Sequence, residues 1–294
     1  MKIGFLTCPG THPGSPRRRE DAFEHDVQVA ALRPALAARG IELREIDWRS
    51  PVGDFAELPL ILVGTPWDYQ DDEAAFLAKL EELESAGHQV CNSARIVRWN
   101  SRKTYLRDLA ERGAQTIPTI WVDRASAADI ESAMAEFGCD ALVAKRQVGA
   151  GAEGQSMHRK GSLDGDWWMG QPMMLQPFLA QITTDGEYSF LFVDGQFSHA
   201  LVKRPASGDY RVQSLYGGTE QPLEPDPADL AAAQAIVDAI PLGTPLYARI
   251  DMVRGDDGGL LVMEAEMIEP YLYPEQGPRL GELMAEAIER RLKA

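Results

Sequence analysis

A chain of 294 residues, 45% hydrophobic and 25% charged, is long enough for two or three subdomains and has no apolar run approaching a membrane span. Its formal net charge of −16 would repel nucleic-acid phosphates and favours a small substrate or cations. Three scattered cysteines without a C-x-x-C pair, and five scattered histidines, argue against a disulfide framework or a zinc site.

The N-terminus "MKIGFLTCPG" breaks at Pro9 after a short apolar run, so it reads as a first strand, not a signal peptide, and a cytoplasmic location is expected. "AFEHDVQVAALRPALAARG" reads as an amphipathic helix closed by Gly40, and "IELREI" as a strand. "LPLILVG" has the continuous apolar character of a buried parallel strand. A helix in "DDEAAFLAKLEELESAG" and a strand in "HQVCN" complete a small parallel α/β unit over roughly the first ninety residues. The loop carrying Arg17 to Arg19 reads as a solvated Pro/Gly-rich segment.

Helix is expected over "SRKTYLRDLAERG" and "ASAADIESAMAEFG", with "TIPTIWV" extended between them. The stretch "ALVAKRQVGAGAEGQSMHR" then contains G-x-G-x-x-G at Gly149, Gly151 and Gly154. A dinucleotide site needs a helix opening directly after those glycines, and "QSMHRKGSLDGDWW" has no helical period. Lys145 closing an apolar strand before a Gly/Ala loop and a second strand fits a phosphate-covering hairpin better; the bland alternative is a surface hairpin with a solvated Lys.

Beyond this point the pattern becomes antiparallel. "EYSFLFV" and "QFSHALVK" flank Asp194-Gly195, a two-residue hairpin turn. A helix in "DPADLAAAQAIVDAI" precedes a second hairpin, "LYARIDMV" and "LLVMEAEMI", and "PRLGELMAEAIERRLK" forms the last helix. An even loop centred in "RGDDGG" would set Arg249 opposite Glu264 and Asp251 opposite Val262. Arg249, Asp251, Glu264 and Glu266 then share one face, and Ile250, Met252, Leu261, Met263 and Ala265 form a core face. Three carboxylates converging on one face either lie in open water or surround a divalent cation. Oxygen ligands alone suit magnesium shared with nucleotide phosphates.

These motifs, in this order, resemble the ATP-grasp superfamily, in particular its glutathione synthetase and RimK-like branch, over nearly the whole chain. "VGTPWDYQ", "VRWNSRKTYLRDLA" and "EAEMIEPYLYP" are further similar to the O-ureido-D-serine cyclo-ligases of cycloserine biosynthesis. The resemblance implies an α+β ATP-grasp architecture: an N-terminal parallel α/β domain over 1–97, a central lid subdomain over 98–178, and a C-terminal subdomain over 179–294 that carries the metal hairpin. It implies ATP and Mg2+ as cofactors, with Mn2+ as the alternative ion. Lys103, Lys145 and the glycines Gly149, Gly151 and Gly154 would meet nucleotide phosphates. Gln176 and Phe178 would hold adenine through main-chain groups, and Glu187 completes the nucleotide set. Lys203, Arg211 and Arg249 would serve catalysis around the transferring phosphoryl group, beside the paired Gly217 and Gly218. The usual metal ligands Asp, Glu and Asn fall on Asp251, Glu264 and Glu266, so a Glu stands where relatives carry Asn.

The implied reaction is ATP-dependent carboxylate–amine ligation of a small amino-acid-like substrate through an acylphosphate, with an intramolecular cyclo-ligase and an ATP-binding regulatory protein as alternatives. On the substrate side, Trp67, Asp68 and Tyr69 follow a buried strand at its C-terminal end, where α/β sheets bind ligands. Their competing reading is two core aromatics and a helix cap. Glu269, next to the metal strand, would meet a substrate ammonium or serve as a solvated turn carboxylate. No nucleic-acid or membrane partner is expected, and the sequence does not distinguish a monomer from a homo-oligomer.

Overall fold

The computed structural model of the chain describes residues 1–149, 154–163, 165 and 168–293. Three sheets follow one another along the chain. The first is fully parallel, in the order β2-β1-β3-β4, from β1 (Lys2–Thr7), β2 (Glu42–Asp47), β3 (Leu60–Leu62) and β4 (Gln89–Cys91). Helices α1 (Ala22–Ala37) and α2 (Glu73–Ser85) make its crossovers. Asp72 caps α2 by accepting from the Ala75 N–H, and Gly40 and Gly87 follow their helices with the left-handed φ that stops them.

Two short helices, α3 (Ala94–Asn100) and α4 (Tyr105–Glu111), lead into a mixed unit. Its sheet, order β5-β8-β6-β7, is built from β5 (Ile120–Val122), β6 (Ala141–Arg146), β7 (Gln155–Arg159) and β8 (Met173–Pro177). Helix α5 (Ala127–Phe137) packs on it behind a capping box of Ser126 and Asp129. The third sheet is antiparallel, order β11-β10-β9-β12-β13, with β9 (Glu187–Val193), β10 (Gln196–Arg204), β11 (Thr219–Leu223), β12 (Tyr247–Arg254) and β13 (Leu260–Glu266). Its remaining helices are α6 (Gln181–Thr184), α7 (Pro227–Asp238) and α8 (Leu280–Lys293). Helix α8 returns to pack on α1, where a Cβ on Gly281 would stand 2.2 Å from the Ala31 carbonyl. The two α/β layers thereby share one core that includes Ile3, Leu36, Leu191 and Ile288.

The expected element types are present, and the short helices α3 and α6 and the following features depart from expectation. The helix expected from Ser101 starts at Tyr105, because α3 ends at Asn100 and the Lys103 N–H is drawn to the Gln147 carbonyl at 2.7 Å. Strand β3 pairs only over Leu60–Leu62, although the apolar run around it is buried. Strand β11, whose burial pattern is mostly exposed, has no apolar signal and was not expected. Asp194 and Gly195, both at positive φ, make the two-residue turn between β9 and β10.

Candidate active site

The chemistry centres on the hairpin of β12 and β13. Its turn spans residues 255–259, an odd count, with Arg254 paired to Leu260. A bulge then inserts Met263, so that Met252 pairs with Val262 but Asp251 pairs with Glu264. The odd turn and the bulge cancel in parity, and Arg249, Asp251, Glu264 and Glu266 do share a face. The expected partners are corrected: Arg249 lies opposite Glu266, and Asp251 opposite Glu264. The core face is corrected too. Leu260 and Val262 join Ile250, Met252 and Ala265 in the core. Leu261 and Met263 instead turn to the opposite side and cluster with Ile117, Ile182, Val212 and Val253. Phe178 and Tyr210 pack against that cluster, their rings 6.1 Å apart.

Strand β13 lies at the edge of its sheet, and side chains pin its outer backbone. Asn100 donates to the Ala265 carbonyl at 2.7 Å and accepts from the Met267 N–H at 2.9 Å. The Ala265 N–H donates to the Tyr105 hydroxyl at 2.8 Å, and the Val262 N–H to the Gln115 carbonyl at 2.8 Å. Asn92 binds the Tyr247 and Met267 carbonyls and the Leu246 N–H, tying the parallel unit to the same strands. Glu264 and Glu266 therefore project from a backbone held on both edges.

Each hairpin carboxylate meets a protein cation. Asp251, 3% exposed, accepts from Ser189 Oγ at 2.5 Å, from Arg249 Nε at 3.1 Å and from Lys203 Nζ at 3.4 Å. Arg249 also ion-pairs with Glu266 and donates to the Tyr271 carbonyl, and Lys203 ion-pairs with Glu187. Burial opposes the charge on Lys203, but Asp251 and Glu187 override it and hold its pKa well above the ordinary value. Glu264 pairs with Lys103 Nζ at 2.7 Å, and that ammonium also donates to the Gly149 carbonyl. The structure thus does not bring Asp251, Glu264 and Glu266 together as a three-ligand set. Among the described residues, no group of three His, Cys, Asp or Glu side chains is placed to hold a metal ion.

A small pocket opens above Lys103, lined by Tyr69, Glu264, Glu266 and Glu269 together with Asn100 and Gly149. Burial, reinforced by Glu266 and Glu264 and only weakly opposed by Lys103, pushes Glu269 up to about 8. Burial likewise raises Glu266 above the usual carboxylate range, against the pull of Arg249. Lys145, at the end of β6, is pushed below its ordinary value by burial and by Lys103, while Glu264 acts in the opposite sense. The pocket wall thus carries three carboxylates, Glu264, Glu266 and Glu269, and the ammonium of Lys103, which bridges Glu264 and the Gly149 carbonyl.

The other expected residues divide. Tyr69 is buried against Phe76 and faces the pocket. Trp67 donates from its indole to the Glu269 carbonyl at 3.1 Å, and so shapes the pocket from outside. Asp68 makes no helix-cap bond; it accepts from Trp48 and Arg49 on the far side of that loop. Arg17 and Arg19 are exposed, as expected of a solvated loop, yet the loop is also tied down: Arg18 binds the Thr11 carbonyl and Asp26, and Arg19 pairs with Asp21 and lies over the Trp67 ring. Glu187 is turned inward to Lys203. The Gln176 side chain donates to Thr119, and the Phe178 N–H is spent on the Ala141 carbonyl. Arg211 is bound by Asp209 and stacked on Tyr216 at 3.7 Å, outside the pocket lining. A Cβ on Gly218 would fall 2.0 Å from the Val212 carbonyl, so this glycine is required by the loop's own packing. Gly217 and Gly154 hold left-handed φ, and a Cβ on Gly154 would collide with Arg146. Gly151 lies outside the described residues. Asn92, Asn100 and Tyr105 were not singled out in the sequence, because a side chain bonded to backbone leaves no motif.

Residues 3–92 match the family model of the N-terminal domain of D-cycloserine synthetase DcsG. Over 289 residues, 90% of this chain and 94% of the relative, the chain is 29% identical to the cycloserine biosynthesis protein DcsG of Streptomyces lavendulae. It is 28% identical to glutathione synthetase of Prochlorococcus marinus over 78% of each chain. The crystal structure of D-cycloserine synthetase DcsG superposes with a TM-score of 0.82 at 25% identity, covering 99% of this chain and 100% of that one. D-alanine–D-alanine ligase from Bacillus anthracis shares the fold, with a TM-score of 0.70 at 18% identity over 100% of this chain and 98% of that one.

Proposed function

We propose that the chain is an ATP-grasp ligase and that the pocket at Lys103, Glu264, Glu266 and Glu269 is where a small amino-acid-like substrate is activated as an acylphosphate and captured by an amine. The observation that carries this is the meeting of Lys103 and the carboxylates of β13 in one pocket at the start of the glycine loop. In the ligation, a substrate carboxylate oxygen attacks the γ-phosphorus and ADP leaves. The amine then attacks the acyl carbon, the C–N bond forms, and phosphate departs. No protein nucleophile takes part, so the side chains bind, orient and neutralise charge. Lys103 and Lys145 are suited to nucleotide phosphates, and Arg211 with the segment ending at Gly217 and Gly218 to the transferring group. Lys203 and Arg249, tied to Asp251, are suited to fixing the hairpin.

The donor set suits magnesium: hard oxygen ligands on adjacent same-face positions, in a pocket short of positive charge, match an ion shared between one or two carboxylates and phosphates. Glu264 and Glu266 would hold it, with Asp251 as a third candidate only if Lys203 or Arg249 gives it up. When bound, the ion supplies neutralisation of the phosphate oxygens.

The likeness to D-cycloserine synthetase over nearly the whole chain favours a second reading, in which one substrate carries both the acyl group and the amine and closes on itself. A screen of ADP release over amino acids and their aminooxy and ureido analogues, with product mass measured, tests both. ADP release that depends on an added substrate, with a product lighter by one water than a single substrate, identifies cyclisation. A product combining two substrates identifies intermolecular ligation, and no substrate-dependent ADP release rejects both.

A further inference from the structure

Lys103 stands apart from the other cations of the hairpin. Lys203 and Arg249 are 4% and 8% exposed and are each wedged between two carboxylates. Among the described residues Lys103 makes one ion pair, with Glu264 at 2.7 Å, and its second acceptor is the neutral carbonyl of Gly149. Its backbone is fixed by the Gln147 carbonyl at 2.7 Å, while its four-carbon stem remains the mobile part. Glu264 in turn has its backbone held between β12 and the Ala265–Tyr105 bond, so its shorter side chain projects into the pocket from a fixed point.

We propose that Lys103 is the resident counter-ion of Glu264 in the nucleotide-free protein. Its ammonium holds the place at that carboxylate which a divalent cation takes in the loaded site, and the cation enters only when nucleotide phosphates draw the ammonium away. The inference rests on the ATP-ligase reading and adds an order of events to it. An ammonium and a dication cannot share one carboxylate edge without strong like-charge repulsion at contact distance. The same exchange must run in both directions, since coupling between two ligands is reciprocal. Nucleotide should tighten the cation, and removal of Glu264 should release Lys103 to the nucleotide.

Manganese titrations followed by the electron paramagnetic resonance of the free ion test this, without and with a non-hydrolysable ATP analogue. Wild type should bind manganese weakly alone and about tenfold or more tightly with the analogue. Lys103→Met should raise nucleotide-free manganese affinity by about tenfold, and Lys103→Met combined with Glu264→Gln should lose that gain. In the reverse direction, Glu264→Gln should bind the analogue several-fold more tightly than wild type in EDTA. This arm needs no Lys103 variant, and it remains decisive if Lys103→Met fails to fold. Equal manganese affinity of Lys103→Met and wild type, or unchanged analogue affinity of Glu264→Gln in EDTA, overturns the inference alone. Failure of wild type to bind the analogue at all overturns the ATP reading beneath it.

Discussion

Lys203 joins Glu187 and Asp251 in a space nearly closed to water, and its ring neighbour Tyr273 is 5.7 Å from the ammonium. A buried ion pair is worth little against an apolar replacement of the whole set, but removing one partner strands the other charges. Lys203→Met should therefore cost about 3–5 kcal/mol in urea denaturation. The triple change Lys203→Met, Glu187→Gln, Asp251→Asn should recover part of that loss. A single variant within about 1 kcal/mol of wild type would show that the network is solvated. At this scale the sequence was informative about residue type but not about pairing. Arg249 and Asp251 could be chosen from alternation, and Lys203 only from the resemblance to the ATP-grasp motifs. That Arg249 bridges Asp251 to Glu266 depends on register, and Glu187 facing inward depends on the neighbouring strand β10.

The parity of β13 was legible for a reason that would not hold generally. An even turn was assumed and an odd one is present; the bulge at Met263 repaired the alternation for Glu264 and Glu266 but not for Leu261. A bulge carries no signal in a stretch such as "LLVMEAE", where apolar residues stand on both faces. Local propensity sets the helix start at Ser101, but it falls at Tyr105, because a tertiary bond from the Lys103 N–H to Gln147 outweighs that propensity. The pins on β13 follow from folding alone, and they carry a prediction at the level of the strand. Asn100→Ala would leave the Ala265 carbonyl and the Met267 N–H buried without their partner, at about 1–3 kcal/mol for each group. The loss should appear as a lower urea midpoint and as weaker nucleotide-dependent manganese binding, since Glu264 and Glu266 flank the loosened residue. Asn100→Asp keeps an acceptor for Met267 but turns an oxygen toward the Ala265 carbonyl, so it should recover little. Wild-type manganese binding in a destabilised Asn100→Ala would separate the pin from the site.

Across the whole molecule, ionisable groups in different layers titrate in opposite senses, which separates their contributions to stability. Burial holds Glu269 at about 8, above its ordinary 4.5. Its folded form binds the proton more readily than its unfolded form, so it adds stability at low pH and loses it as pH rises from about 4.5 to about 8. Glu266 is shifted in the same direction and adds to the trend. His199, on β10 beneath the 270–277 segment, is held by burial at about 4, below its ordinary 6.5. It stays neutral when folded and charges more readily when unfolded, so its contribution is lost as pH falls from about 6.5 to about 4. Between pH 8 and about 6.5 Glu269 takes up its proton while His199 is still neutral in both states. The nucleotide-free protein in EDTA should gain a few degrees in melting temperature as pH is lowered through that window. Glu269→Gln should be more stable than wild type at pH 8, since it removes a buried charge, and should flatten the pH dependence. A dication held with nucleotide would compensate the same carboxylates, so saturating manganese and ATP analogue should flatten the wild-type curve as well. Scanning calorimetry of both proteins, with and without the analogue and metal, gives the comparison. A wild-type melting temperature that rises with pH across this window would show that Glu269 and Glu266 are solvated and ionised without cost.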